Sequence, residues 1–502
     1  MISIDEMAVF CKKKGFIFTT GDIYGGLSGF FDYGPYGIEL KNNIKNVWWK
    51  RFVHDREDVV GFDGAIITNP KVWKASGHID CFEEVLVEDS KTQERFRADH
   101  LVEEALNIKA DGLSKEDLWK LIQENNILSP NGNPLKEPIQ FNLMLSTQIG
   151  PTKKDNIAYL RPETAQMIFT QAKLIQETTR LSLPFGIAQI GKAFRNEISP
   201  RDFLFRCREF EQMELEFFIN SDNPREPEFE DIKINVLTAE EQGSRKKNEM
   251  EHKKRSISSL IGKHTTAWHA YWLKEAWQWF AELGINTDNL RLRQHTKDEL
   301  AHYSCNCYDI EYKFPFGWKE IHGSADRSRY DLEQHQKHSN KKLLLRDDFV
   351  QQNVLPKVIE PSQGVDRAFL VFLYDAYNDD KKRGNIVLKL HPKLAPVKVG
   401  VFPLVNKLDG EAKKIFGELK KEFVCIYDRS GSVGRRYARA DELGIPLCIT
   451  LDFESLDDKM VTVRDRDTTY QVRVKIKELN QTIKGLLEGK KLESFGKLIK
   501  ST

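Results

Sequence analysis

Two runs of alternating residues, Phe185 to Glu197 and Glu209 to Ile219, leave few folds open to this 502-residue chain. Successive side chains of a strand face opposite ways. The first run therefore places Gln189, Gly191, Ala193, Arg195 and Glu197 on one face, and Ala188, Ile190 and Phe194 on the other. The second separates Met213, Leu215 and Phe217 from Gln212, Glu214 and Glu216. An antiparallel hairpin is predicted, with a core on one side. Its other side offers an arginine and carboxylates beside small residues that leave space for a ligand. The joining loop carries Arg201, Arg206 and Arg208 with Phe203 and Phe205. Guanidinium forks match phosphate oxygens, and an aromatic ring at a strand edge can stack on a purine. Taken alone, the same alternation also fits a solvent-facing ladder of ion pairs.

Around that hairpin the chain divides by pattern. Residues 38–54 are predicted to form an amphipathic helix through Leu40, Ile44, Val47, Trp48 and Phe52. An extended stretch from Asp58 to Thr68 follows and closes at Asn69-Pro70. Lys109 to Pro138 reads as part of a polar insertion, about 101–140, with a turn at Pro130-Asn131-Gly132. A second polar insertion runs from Asn220 to about Leu300. Within it, the basic run from Arg245-Lys246-Lys247 to Lys253-Lys254-Arg255 reads as a solvated helix face. Ile359 to Gly364 then leads into an apolar helix from Val365 to Tyr377. Beyond Leu394-Ala395-Pro396, strands at 397–404, 424–427, 445–451 and within 460–474 alternate with helices at 410–423 and 433–443. That is the pattern of a compact α/β domain, followed by a basic tail with Lys490, Lys491, Lys497 and Lys500. The expected division is 1–393 and 394–502.

Composition closes several alternatives. Hydrophobic residues at 40% and charged residues at 30% exclude collagen-like, low-complexity and disordered chains. No apolar run approaches the roughly 20 residues that span a membrane. The first residues lack the basic and apolar segments of a signal peptide, so a cytoplasmic address is expected. Lys+Arg 76 against Asp+Glu 75 excludes a uniformly basic coat but leaves a local basic surface open. Neither a G-x-x-x-x-G-K-[ST] loop nor a G-x-G-x-x-G turn after a strand is present. The seven cysteines are sparse and are expected to be reduced. Cys305, Cys307 and His302 match no common zinc spacing and lack a second ligand pair.

Phe194-Arg195-Asn196-Glu197 and Arg206-Cys207-Arg208-Glu209-Phe210 resemble motif 2, about 185–219, of the class II aminoacyl-tRNA synthetases. The helix, extended stretch and Pro70 within about 38–73 are similar to their motif 1, the dimer element. Gly364-Val365-Asp366-Arg367, opening the apolar helix within about 358–378, resembles motif 3. More specific matches point to the homodimeric glycyl-tRNA synthetases. They include Asp32-Tyr33-Gly34-Pro35, Asn69-Pro70-Lys71-Val72-Trp73, Arg97-Ala98-Asp99-His100, Phe141-Asn142-Leu143-Met144, Arg161-Pro162-Glu163-Thr164-Ala165-Gln166 and Glu360-Pro361-Ser362. The resemblance covers essentially the whole chain. It implies an α/β (α+β) fold: an antiparallel catalytic sheet flanked by helices, plus a C-terminal α/β anticodon-binding domain. It also implies ATP with Mg²⁺, glycine, tRNA(Gly) and a homodimer.

The same resemblance implies roles. Arg195 would hold the α-phosphate of ATP while glycine's carboxylate attacks it. Arg367 would hold the γ-phosphate at a helix start, where backbone N–H groups also favour anions. Phe210 would stack on adenine and Glu209 would read its amino group. Asn196, Glu197, Phe205, Arg206, Cys207 and Arg208 complete the motif 2 part of the ATP site, and Gly364, Val365 and Asp366 the motif 3 part. Glu320, with Ile321, matches a later ATP contact and offers an oxygen to Mg²⁺; no metal site built from protein ligands alone is expected. Glu214, Glu360 and Ser362 would gather around glycine's ammonium group. Glu211, Gln212, Met213, Pro361 and Gln363, with Phe210 and Gly364, would bind glycine beside them, Arg97 and Glu163 match further pocket positions, and Arg327 falls nearby. Catalysis would rest on Arg195, Glu197 and Arg367, with no nucleophile or general base from the protein.

Two departures stand out. The family often carries cysteine pairs where this chain has Glu88-Asp89-Ser90 and Ser129-Pro130-Asn131-Gly132, so structural zinc is not expected there. Met167 stands where glycine is usual after Thr-Ala-Gln, and is expected to pack into the core. Two rival readings share the motifs: a sister synthetase for threonine, proline, serine or histidine, and a catalytically dead paralogue that binds nucleic acid. The first is disfavoured by Glu214 and the Glu360-Pro361-Ser362 cluster. The second is disfavoured by retention of Arg195, Glu197, Arg206 and Arg367.

Overall fold

The hairpin forms near one edge of a nine-stranded sheet. The computed structural model describes residues 2–108, 110, 112–150, 157–200, 202–242, 252–262 and 264–499. Arg201, Arg245, Lys246, Lys247 and Lys500 lie outside them. Strands Phe185–Phe194 and Glu209–Ile219 pair antiparallel, with Glu214 opposite Gln189 and Phe210 opposite Ala193. From one edge the strand order is Lys253–Ser256, Lys233–Leu237, Leu290–Gln294, Asn306–Phe314, Gly317–Ser328, Lys357–Gly364, Glu209–Ile219, Phe185–Phe194 and Val59–Gly61. Two of the eight pairings are parallel and the rest antiparallel.

Both faces of the hairpin are covered. Met213, Leu215 and Phe217 enter a core shared with helices Pro35–Trp49, Ala267–Glu282 and Val365–Ala376. On the opposite side, helix Ala165–Thr179 and helix Tyr330–Ser339 pack around Phe185, Ile187 and Phe218. Gln189, Gln212, Glu214 and Glu216 are all buried there. The polar face is thus an interior, and the solvent-facing ladder is excluded.

Local chemistry sets the flanking elements. The first amphipathic helix starts at Pro35 rather than 38, because Pro suits the first helical position and follows extended Gly34. Leu40, Ile44, Trp48 and Phe52 share its buried face, and its last turn widens to a π-turn at Lys50–His54. Only Val59–Gly61 of the extended stretch joins the sheet. Asn69 then caps helix Pro70–Ala75, its side chain accepting from the Lys71 N–H at 3.0 Å.

The segment 220–300, expected as a polar insertion, is part of the main fold. It supplies three strands of the large sheet, and helix Ala267–Glu282 brings buried Trp268, Trp272, Trp277, Trp279 and Phe280 to the core. Lys253–Ser256 is a strand rather than the expected helix face. Its pairing with Lys233–Leu237 overrides the helical periodicity of the basic run. After residue 394 a second, five-stranded sheet runs in the order Cys425–Tyr427, Val399–Pro403, Leu447–Leu451, Met460–Asp465 and Gln471–Lys475. It has its own core around Val401, Ile449 and Val463. Phe402, Ala440, Leu443 and Cys448 nevertheless continue the main core.

The first insertion folds as a three-stranded sheet of Glu83–Glu88, Arg95–Arg97 and Ile139–Asn142, with helices Ala98–Leu106 and Lys115–Glu124. Its two turns, which lack the family's cysteines, are joined through Asp89. The Asp89 carboxylate accepts from the Lys91 and Thr92 N–H groups at 2.8 and 2.9 Å, from Ser129 at 2.5 Å and from Asn133 at 3.1 Å. One carboxylate, a hydroxyl and amides form a hydrogen-bond knot, not a zinc donor set. Burial alone would raise the Asp89 pKa, but these donors outweigh it and hold the group well below the usual carboxylate range. Its stabilising effect is therefore fully present above the unfolded value near pH 4 and is lost as pH falls below it. Acid titration of thermal stability should show this loss in the wild type, and Asp89→Asn should remove it. An identical acid profile for the two would count against the knot.

Candidate active site

A cavity of about 300 Å³ opens between the hairpin, the strand Gly317–Ser328 and the start of helix Val365–Ala376. Arg195 stands just past the end of its strand. Its Nε donates to the Pro162 carbonyl at 3.1 Å, and its guanidinium lies 5.2 Å from the Phe210 ring centre. Arg206 lies beside Glu197, Nε to Oε2 3.5 Å. Across the cavity Arg367 pairs with Glu320 at 2.9 Å and stacks over Phe205 at 4.5 Å. Burial alone would raise the Glu320 pKa, but the Arg367 charge outweighs it and holds the carboxyl below its ordinary value.

The inner end is a carboxylate pocket. Glu214 accepts from the Thr164 N–H at 3.1 Å and from its hydroxyl, from Ser362 at 2.9 Å, and from Gln212 at 3.2 Å. Arg327 donates to both oxygens of Glu360 at 3.0 and 3.1 Å, and its remaining N–H groups grip Asp331 at 2.7 and 2.8 Å. Glu163 lies 3.4 Å from His78 and 3.6 Å from Arg327. Burial alone would raise the Glu163 pKa, but its contacts with His78 and Arg327 outweigh it and keep the group well below the usual carboxylate range.

Most residues singled out from sequence meet in this cavity. Arg195, Glu197, Phe205, Arg206, Cys207 and Phe210 line it from the hairpin and its loop, together with Gln212 and Glu214. Glu163, Glu320, Glu360, Ser362, Gly364, Asp366 and Arg367 complete that set.

Others are turned away by strand alternation or used in packing. Glu211 faces helix Pro35–Trp49, where Lys41 and Lys45 pair with it at 2.6 and 2.9 Å. Met213, Ile321 and Val365 are core residues. Pro361 and Gln363 alternate with the cavity-facing Glu360 and Ser362, and the Gln363 amide donates to the Ile321 carbonyl at 2.7 Å. Arg208 braces the loop through the Glu197 and Ser28 carbonyls, both at 3.0 Å. Asn196 follows Arg195 without lining the cavity; its N–H donates to the Leu143 carbonyl at 2.8 Å. Glu209 pairs with Lys192 across the hairpin rather than opening into the cavity. Arg97 sits behind Arg206, bound to Glu84 and Asp99. Arg327, given only a nearby place, proves to be the buried cation of the pocket. Met167 packs against Trp73 and Met144, away from the cavity.

Sequence reasoning missed His295, Tyr303, Asp309 and Ser324, which also line the cavity. Among the described residues, Cys305 and His302 join no group of metal-donor side chains, whereas Cys307 approaches His295 and Asp309. His295 and Asp309 already satisfy each other at 2.7 Å, and Arg293 lies 3.5 Å from Asp309. The signal in sequence was only that Cys307 and Asp309 alternate on one strand.

Comparison with known proteins adds the C-terminal part of the chain. Residues 398–486 match the profile of a family described as "Anticodon binding domain". An arginine-lined, carboxylate-floored cavity in an antiparallel-dominated sheet, joined to such a domain, is the build of an aminoacyl-tRNA-forming ligase. The glycine–tRNA ligase of Caldanaerobacter subterraneus subsp. tengcongensis is 42% identical over 497 residues, 97% of this chain and 99% of that one. Those of Acetivibrio thermocellus and Geobacillus thermodenitrificans are each 45% identical, over 96% and 95% of this chain and 98% and 96% of theirs. The chain belongs to the glycine–tRNA ligase family. No helix among the described residues is long and apolar enough to cross a membrane.

Proposed function

We propose that this cavity activates glycine with ATP, giving glycyl-adenylate and pyrophosphate, and that the chain then transfers glycine to the 3′ end of tRNA(Gly). The observation that carries the reading is the division of one small cavity into two ends. Arg195, Arg206 and Arg367 surround one end, and Glu163, Glu214 and Glu360 the other. The first suits a triphosphate and the second an ammonium group.

Held this way, glycine's carboxylate oxygen attacks the α-phosphorus and pyrophosphate leaves in line. Arg195, oriented by the Pro162 carbonyl and the Phe210 ring, neutralises charge developing on the α-phosphate. Arg367 draws the leaving pyrophosphate toward the helix start. Glu320 is a hard oxygen donor beside Arg367, which fits Mg²⁺ carried on the phosphates. When bound, Mg²⁺ neutralises pyrophosphate charge.

The reading includes the class II assignment, a catalytic unit over 1–393 with an anticodon-binding unit over 394–502, and a cytoplasmic enzyme working on its tRNA. It also includes an isologous homodimer through helix Pro35–Trp49. Sedimentation at micromolar concentration should give a dimer, and a fully active monomer would remove that part. The activity itself is tested by ATP–pyrophosphate exchange with each of the twenty amino acids, where glycine should lead. Exchange led by threonine, proline, serine or histidine would support a sister enzyme instead. Glu214→Gln should lower kcat/KM for glycine about tenfold or more, since a charge-assisted contact contributes roughly 1.5–3 kcal/mol. The KM for ATP should hardly move.

A further inference from the structure

The hairpin face that carries Gln212 and Glu214 continues inward to Glu216, which no role above uses. Glu216 is fully buried. One oxygen each from Glu214, Glu216 and Glu360 lies within 4.8 Å of the others. The three are not equivalent. Glu214 has donors from Thr164, Ser362 and Gln212, and Glu360 has two bonds from Arg327. Both oxygens of Glu216 are buried without a hydrogen-bond partner. In the empty pocket an ionised carboxylate so placed has no hydrogen-bond donor and only the shared Arg327 charge to offset its desolvation, until a bound ammonium group adds a second cation. A carboxylic acid avoids that cost, because its O–H becomes a donor to a neighbouring carboxylate.

The surrounding charges point the same way. Glu214 faces Glu216 from its own strand, Glu360 from the next strand, and Asp331 from helix Tyr330–Ser339. Glu163, just before helix Ala165–Thr179, is paired with His78 and lies 3.6 Å from Arg327. Arg327 is the guanidinium set among these acids, and Arg161 acts on Glu214 from the far side. Burial, with Glu360 and Glu214 adding to it, pushes Glu216 well above the usual carboxylate range despite Arg327. Burial likewise pushes Glu360 up.

We propose that Glu216 carries a proton, shared with Glu360, in the glycine-free pocket, and that glycine's ammonium group displaces this proton on binding. The proposal rests on the glycine reading given above. An ammonium group beside Glu214 and Glu360 lowers the affinity of the same cluster for a proton. The proton leaves through Glu360, which lines the cavity, to solvent, and the ammonium keeps its own protons. Because the complex binds the proton less tightly than the empty pocket, glycine binding strengthens as pH rises, until the amine itself deprotonates. Glu216 touches no substrate; it is a positioning residue that sets the charge of the carboxylates that do.

Calorimetric titration of glycine into the full-length protein at neutral pH, in two buffers of different ionisation heat, tests this. Between about 0.5 and 1 proton should be released per glycine in the wild type, and less than about 0.1 in Glu216→Gln. The glutamine amide still offers a donor to Glu360, so glycine affinity should stay within about threefold. Glu216→Leu offers neither donor nor proton and should weaken glycine about tenfold, with ATP affinity unchanged. Infrared difference spectra of the wild type, which depend on no variant folding, should show a protonated-carboxyl band that vanishes when glycine is added. Glycine heat that is identical in both buffers overturns the proposal and leaves the glycine reading standing. Undiminished release in Glu216→Gln, or no protonated-carboxyl band before glycine, also overturns it. No glycine heat in either buffer defeats the glycine reading and the displacement with it.

Discussion

Replacing Arg195 with alanine is expected to lower glycine-dependent ATP–pyrophosphate exchange about a thousandfold, the range seen when a preorganised charge on a transferring phosphoryl group is removed. The geometry supports so large an effect. Arg195 is held by one bond to the Pro162 carbonyl and by the faces of Phe210 and Phe82, at 5.2 and 5.5 Å. None of those contacts neutralises its charge, so the guanidinium is oriented in advance for an anion. The fold should tolerate the change, because the side chain stands at the cavity rim rather than in the core. A melting temperature near wild type, combined with exchange within about tenfold of wild type, would remove Arg195 from the reaction.

Alanine and serine should be activated about a thousandfold less well than glycine. The walls around Glu214 are fixed by Thr164, Ser362 and Gln212, and Glu360 is fixed by Arg327. Forcing a methyl group into a packed site costs about 1–3 kcal/mol. Tilting the ligand to avoid that clash weakens its charged contacts by roughly 1.5–3 kcal/mol. Together these centre on a factor of about a thousand, at about 1.4 kcal/mol for each tenfold. Glycine has no smaller amino-acid competitor, so this discrimination runs in the easier direction. Exchange kinetics with all three amino acids give the ratio directly. AMP release with alanine and tRNA should stay at background, as no separate hydrolytic site is required. An alanine rate within about tenfold of glycine would refute the steric argument.

Much of this site was legible in the chain because strand alternation is a local rule. Period two alone placed Gln212 and Glu214 together and set Met213 on the other face, although the sequence also drew Glu211 and Met213 toward the glycine site. The same rule explains that error. Motif similarity runs along the chain, whereas a side chain's face changes with every residue, so Glu211 ends on Lys41 and Lys45. Pro35 and Asn69 suit helix starts by their own backbone chemistry, yet helical periodicity in the sequence sets the first of those helices at 38, and Asn69-Pro70 reads there only as the close of an extended stretch.

What the sequence determined by itself is what short-range physics controls: the hairpin, the alternating strands and helices after residue 394, and the motif residues of the cavity. Tertiary structure decided the rest. The basic run at Lys253 became a strand because Lys233–Leu237 offered its edge. The 220–300 segment joined the core because helix Ala267–Glu282 could bury four tryptophans against the sheet. Asp89 became the knot of the first insertion because Ser129 and Asn133, forty and forty-four residues away, supply donors to it. Arg327 became the buried cation that holds Glu360 and Asp331 behind the cavity, and Glu216 the unpartnered acid of that cluster. Those outcomes depend on which charges and donors meet across distant segments in a dry interior, where desolvation makes each missing partner count, and no local pattern encodes that meeting.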